Sequence, residues 1–105
     1  EIDLLATEFT ELRSLASAAS GAEPGPESSI LKLKGTEIQQ RIQKLTVEAG
    51  GIYSAAWGKQ PVGHSFAKSG MSGYLSSRAY TIYGGASEVQ KDVVAKNVLG
   101  LKKAK

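Results

Sequence analysis

The sequence predicts an all-α protein, an antiparallel helical bundle, and three observations support this class. Apolar residues recur at spacings of three and four over two long stretches, which is the period of an amphipathic helix. Strand-like alternation of apolar and polar residues does not extend over any useful length. Stretches rich in glycine and proline separate the helices and let consecutive helices reverse direction.

The first helix is expected over about residues 2–20. Its apolar side is formed by residues spaced 3, 4, 3, 4 and 3 apart, namely Ile2, Leu5, Phe9, Leu12, Ala16 and Ala19. The segment GAEPGPESS that follows contains two glycines and two prolines, so the helix cannot continue through it. Because the sequence opens without Met and already inside this helical pattern, we expect it to be a piece of a longer chain.

A second helix is expected over about residues 29–49. Its apolar side is formed by Leu31, Ile38, Ile42, Leu45 and Ala49. Two long helices and two short ones make a thin and incomplete bundle, so we expect the long helices to keep apolar surface that a partner would cover.

The second half of the sequence is less regular. Residues 50–73 contain six glycines and one proline, which predicts a long loop of the kind that is often functional. A short helix is expected at 74–83 and a last helix at 87–99. Ser87 is predicted to cap the last helix, with Gln90 three residues later completing a capping box.

The composition excludes several classes of protein. With 41% apolar and 22% charged residues in 105, the chain is expected to form one globular domain. The absence of cysteine removes disulfides and thiolate chemistry and agrees with a cytoplasmic location. His64 is the single histidine and has no acidic neighbour at ligand spacing, so we expect a loop residue and no metal site.

Two kinds of partner are not expected. No apolar run approaches the length of about 20 residues that a membrane span needs. The lysines at the C-terminal end, Lys102, Lys103 and Lys105, have no aromatic residues between them, which indicates a solvated tail and no nucleic-acid partner.

The pair Gly84-Gly85 precedes the last helix and is a candidate site. A glycine turn at a helix N-terminus exposes backbone N–H groups that bind anions and polar ligand atoms, and glycine lets a ligand approach the backbone closely. The same pattern also occurs in a plain helix–turn–helix corner. The spacing alone leaves both interpretations open.

Two segments resemble a known family. The run SRAYTIYGGASEVQK at 77–91, continued by AKNVLGL at 95–101, is similar to the C-terminal signature of the acyl-CoA dehydrogenases. The stretch ILKLKGTEIQQ at 30–40 resembles a helix of the same family's C-terminal domain, and the two segments occur in the family's order. The resemblance covers roughly residues 28–101 and, by position, the first helix.

The resemblance implies an activity and its partners. Members bind FAD and oxidise acyl-CoA thioesters to 2-enoyl-CoA. They are typically homo-oligomers, often tetramers, packed through their C-terminal bundles, and a second flavoprotein, an electron-transfer flavoprotein or similar acceptor, removes the electrons. This chain would then be the C-terminal helical part of such an enzyme and inactive by itself.

The resemblance also assigns site residues. Tyr83, Gly84 and Gly85 match the segment that lines the substrate, and Ala86, Ser87 and Glu88 match the segment that contacts FAD. Many members carry their catalytic glutamate where Gly84 stands, so this chain would supply no catalytic side chain, and the base would lie upstream. The family often has Thr at the position of Ala86, which removes one hydroxyl contact to the cofactor.

Two alternatives remain beside this hypothesis. Gly84 also suits a non-catalytic or heteromeric subunit of the same family. A helical interaction module that binds no flavin is the alternative from another class.

Overall fold

The structure, a computed structural model, describes residues 1–23, 25–56 and 62–101. These residues form four α-helices, three 3₁₀ segments and no strand, so the predicted all-α class is confirmed. The α-helices are α1 (Ile2–Ala19), α2 (Glu27–Gly50), α3 (Gly70–Ser77) and α4 (Ser87–Asn97). None of the helices in these ranges combines the length and apolar character that crossing a bilayer requires. The lysine tail at 102–105 lies outside the described residues.

The chain divides into two compact units. The first comprises Glu1–Thr36 together with Thr81–Lys105, and the second comprises Glu37–Tyr80. The first unit therefore contains α1, the first part of α2, and α4. The second unit contains the rest of α2, α3 and the 3₁₀ segments, which are Gly51–Ala55, Ser65–Ser69 and Arg78–Thr81; only Thr81 of the last segment belongs to the first unit.

Helix α1 ends in a Schellman motif. Ala22 N donates to Ser17 O at 3.2 Å and Gly21 N donates to Ala18 O at 3.0 Å. These two bonds are the 6→1 and 5→2 pair that satisfies the last carbonyls of a helix. The helix thus ends at Ala19, with Ser20 as its C-cap residue and Gly21 in the left-handed position. This agrees with the expected end of the helix before the segment rich in glycine and proline.

The two faces of α1 have different surroundings in the first unit. Thr7 and Thr10 are half-buried and line a small pocket with Leu31 of α2. The apolar side is exposed instead: 83% of Ile2 and 65% of Phe9 remain accessible. The surplus of apolar surface predicted for the long helices is therefore present on α1.

The second unit is packed through small residues. Ala67 and Ser54 are each 1% exposed, and a Cβ placed on Gly50 would come within 2.0 Å of Ser54 Oγ. Gln40 Nε2 on α2 donates to Ser77 O at the end of α3, at 2.9 Å. Among the residues of this unit that the structure describes, the fully buried ones are small, and the contacts are close backbone approaches and hydrogen bonds.

The predicted loop at 50–73 contains regular structure. Gly51–Ala55 and Ser65–Ser69 are 3₁₀ segments, and α3 begins at Gly70. Residues 57–61 of that predicted loop lie outside the described residues. The glycines misled the prediction because they serve close packing: Gly70 is buried, and a Cβ there would lie 3.1 Å from Ser54 Oγ.

The short helix predicted at 74–83 lies earlier in the chain. Helix α3 spans Gly70–Ser77 and is followed by the 3₁₀ segment Arg78–Thr81. Serine hydroxyls support its turns by donating to carbonyls three residues back, as Ser77 Oγ does to Tyr74 O at 2.7 Å. Regular structure stops before Gly84, where the backbone turns left-handed.

Candidate functional site

The glycine pair forms a left-handed turn directly before α4. Gly84 has a φ of 70° and Gly85 a φ of 97°. Residues with a side chain are disfavoured at positive φ because Cβ crowds the backbone. Two consecutive residues in this region therefore require glycine, which explains why both stand in the sequence.

Two side chains bind the carbonyl groups of this turn. Lys32 Nζ, on α2, donates to Gly85 O at 2.7 Å. Gln90 Nε2, on α4, donates to Gly84 O at 3.2 Å. All four residues belong to the first unit, so the turn is held between two helices of that unit.

The predicted capping box is wrong. Ala86 is the N-cap residue of α4, with φ −58° and ψ 146°, and it makes no side-chain cap. Ser87 is already the first helical residue, and its Oγ lies 3.4 Å from Thr81 O. The helix therefore begins one residue earlier than a Ser87 cap would place it. The Gln90 side chain, expected to bind the N–H of the N-cap residue, instead donates to the carbonyl of Gly84.

The first turn of α4 presents backbone donors. The N–H groups of Ser87, Glu88 and Val89 precede the first helical bond, which Gln90 N donates to Ala86 O at 3.0 Å. Such N–H groups have no carbonyl of their own helix to bind. They carry the positive end of the helix dipole, so they suit a polar acceptor from a ligand.

The space beside Gly84 is open on the side where a side chain would project. A Cβ built there meets one heavy atom within 4 Å among the described residues, Lys32 Cε at 3.9 Å. Beside Gly85 a Cβ would lie 2.1 Å from Gln90 Nε2. A ligand could thus approach the backbone at Gly84, whereas the side of Gly85 is occupied by Gln90.

The six residues assigned to substrate and FAD follow one another through the turn and into α4. Tyr83 is exposed over 58% of its surface, Gly84 and Glu88 are exposed, and Gly85, Ala86 and Ser87 are half-buried. The structure thus presents Tyr83 and Gly84 at the surface of the first unit, directly before the donors of α4.

Two residues outside the glycine turn, His64 and Arg78, have aromatic neighbours. His64, in the second unit, is exposed and stacks on Phe66 with ring centroids 5.8 Å apart. Arg78 lies over the Tyr74 ring at 4.5 Å. The described ranges contain no group of three or more His, Cys, Asp or Glu side chains that could hold a metal ion.

Sequence reasoning missed two residues of this site. Lys32 is 53 residues away from Gly85 in sequence, and no local pattern indicates such a contact. Gln90 was singled out for its spacing from Ser87, but its partner was predicted wrongly. The sequence offered one indirect indication of the Lys32 contact. Lys32 lies in the stretch ILKLKGTEIQQ, which resembles the same family as the turn does.

Comparisons with known proteins identify the family of the chain. The acyl-CoA dehydrogenase IpdE1 of Mycolicibacterium smegmatis is 61% identical over 28 residues, which cover 27% of this chain and 7% of that relative. No solved structure matches the chain. The family model described as "Acyl-CoA dehydrogenase, C-terminal domain" matches residues 1–99. Since that match includes the glycine turn and all four helices, the chain belongs to the acyl-CoA dehydrogenase family, within its C-terminal domain.

Proposed function

We propose that this chain is the C-terminal helical part of an FAD-dependent acyl-CoA dehydrogenase that oxidises acyl-CoA thioesters to 2-enoyl-CoA. The observation that carries the proposal is the left-handed turn Gly84-Gly85, which lies inside the segment matched by the family model and directly before the uncapped start of α4. The chain would contribute contacts to substrate, flavin and neighbouring subunits.

The substrate is proposed to lie against Tyr83, Gly84 and Gly85. Gly84 offers a backbone that a thioester can approach, since only Lys32 Cε lies within 4 Å of a Cβ at this position among the described residues. In the reaction, negative charge develops on the thioester oxygen when the α-proton leaves. Backbone N–H groups aimed at that oxygen stabilise the charge without needing to reorganise.

The residues at the start of α4 fit contacts to a flavin. Ala86 offers no hydroxyl, and the Ser87 hydroxyl already donates to Thr81 O, so the donors are the N–H groups of the first turn. Glu88 already places a carboxylate in that turn, which favours a neutral acceptor such as a ring carbonyl over a phosphate. FAD, when bound, supplies the acceptor for the hydride that leaves Cβ of the substrate.

The base that removes the α-proton is proposed to lie outside this chain. Glycine at position 84 has no proton acceptor, so this position contributes only its backbone. A carboxylate from another part of the protein would reach Cα in a site from which water is excluded. The backbone of the turn would thus polarise the thioester, and the base would take the α-proton.

The proposed enzyme is a homo-oligomer, a tetramer by analogy with the family, that passes its electrons to an electron-transfer flavoprotein or a similar acceptor. The exposed apolar side of α1, with Ile2, Leu5, Phe9 and Leu12, supports a contact with further protein. Burying such a surface is favourable by about 25 cal/mol per Å² of apolar area.

The test uses the whole protein that contains this chain. It should purify with bound FAD, seen by its visible absorbance, and under anaerobic conditions at least one thioester from a panel of straight-chain, branched and cyclic acyl-CoAs should bleach that absorbance. A protein that binds no flavin after expression in flavin-rich medium would be a helical interaction module instead, and the proposal would fall.

Gly84 favours one second candidate, a non-catalytic or heteromeric subunit of the same family. In that case the protein binds FAD or acyl-CoA but does not bleach with any thioester of the panel unless a second subunit is added. Substituting each upstream carboxylate in turn separates the two: a single substitution that abolishes bleaching identifies a base in the same chain.

A further inference from the structure

We draw no further inference here: the strongest candidate, the open cleft of the first unit between the last turns of α1 and the start of α2, is lined in part by the acidic residues Glu11, Glu23 and Glu27, and no second feature of the described residues indicates which ligand or partner would occupy it.

Discussion

Replacing Gly85 with alanine tests how tightly the turn and Gln90 are coupled. A Cβ at this position would lie 2.1 Å from Gln90 Nε2, far inside van der Waals contact. The atom it meets is the end of a flexible side chain, so Gln90 can move away. When it moves, it loses its hydrogen bond to Gly84 O.

Two costs follow from the geometry. An alanine at a φ of 97° is strained, and a left-handed residue with a side chain costs about 1–2 kcal/mol. Loss of the Gln90 bond adds about 1 kcal/mol. Gly85→Ala should therefore destabilise the domain by about 2–3 kcal/mol, whereas in a Gln90→Ala background the same change should cost only the strain. The coupling between the two positions is thus about 1 kcal/mol.

Chemical denaturation of the whole protein, followed by circular dichroism, measures the free energy of unfolding for the wild type, both single variants and the double variant. Gly84→Ala is the matched control, because its Cβ has only Lys32 Cε within 4 Å among the described residues and should cost the strain alone. Strict additivity of Gly85→Ala and Gln90→Ala would refute the reasoning. Equal destabilisation by Gly84→Ala and Gly85→Ala would refute it as well.

Three further predictions concern other parts of the chain. The isolated 105-residue chain should be colourless and inactive, and a flavin absorbance near one per chain would contradict this. It should also self-associate and bind a hydrophobic dye through the exposed side of α1; a Leu5→Glu, Phe9→Glu variant should sediment closer to a monomer, and unchanged sedimentation would show that α1 is not the contact. Ser54 Oγ is buried and has no hydrogen-bond partner in the described part of the chain, so Ser54→Ala should raise the unfolding free energy of the whole protein by up to about 1 kcal/mol, and a loss would show that the hydroxyl is satisfied.

The helical class followed from the sequence because apolar periodicity is a local property. Each position on α1 can be identified from its neighbours three and four residues away. Which side of that helix packs against α2 could not be predicted. The side with Ile2 and Phe9 is exposed, while the side with the threonines is half-buried. The described residues leave that apolar side exposed, and the periodicity of one helix does not indicate what would cover it.

The glycines in the second half of the chain were harder to interpret. A sequence does not distinguish a glycine that ends a helix from one that allows close packing, and Gly70 does the latter inside the second unit. The turn at Gly84 was recognised, but its register was not, because the preference of Ser87 for an N-cap position competes with a left-handed backbone that begins the helix one residue earlier. The contribution of Lys32 depends on tertiary structure alone.

The contact between Lys32 and Gly85 also constrains the order in which the domain assembles. It joins residues 53 positions apart, and closing a loop of that length costs about 3.5 kcal/mol of chain entropy. A single hydrogen bond from a charged donor contributes about 1.5–3 kcal/mol, which is less than this cost. We therefore expect the contact to form after the helices around it have closed the loop. Its loss should then speed local opening of the turn without slowing formation of the helices.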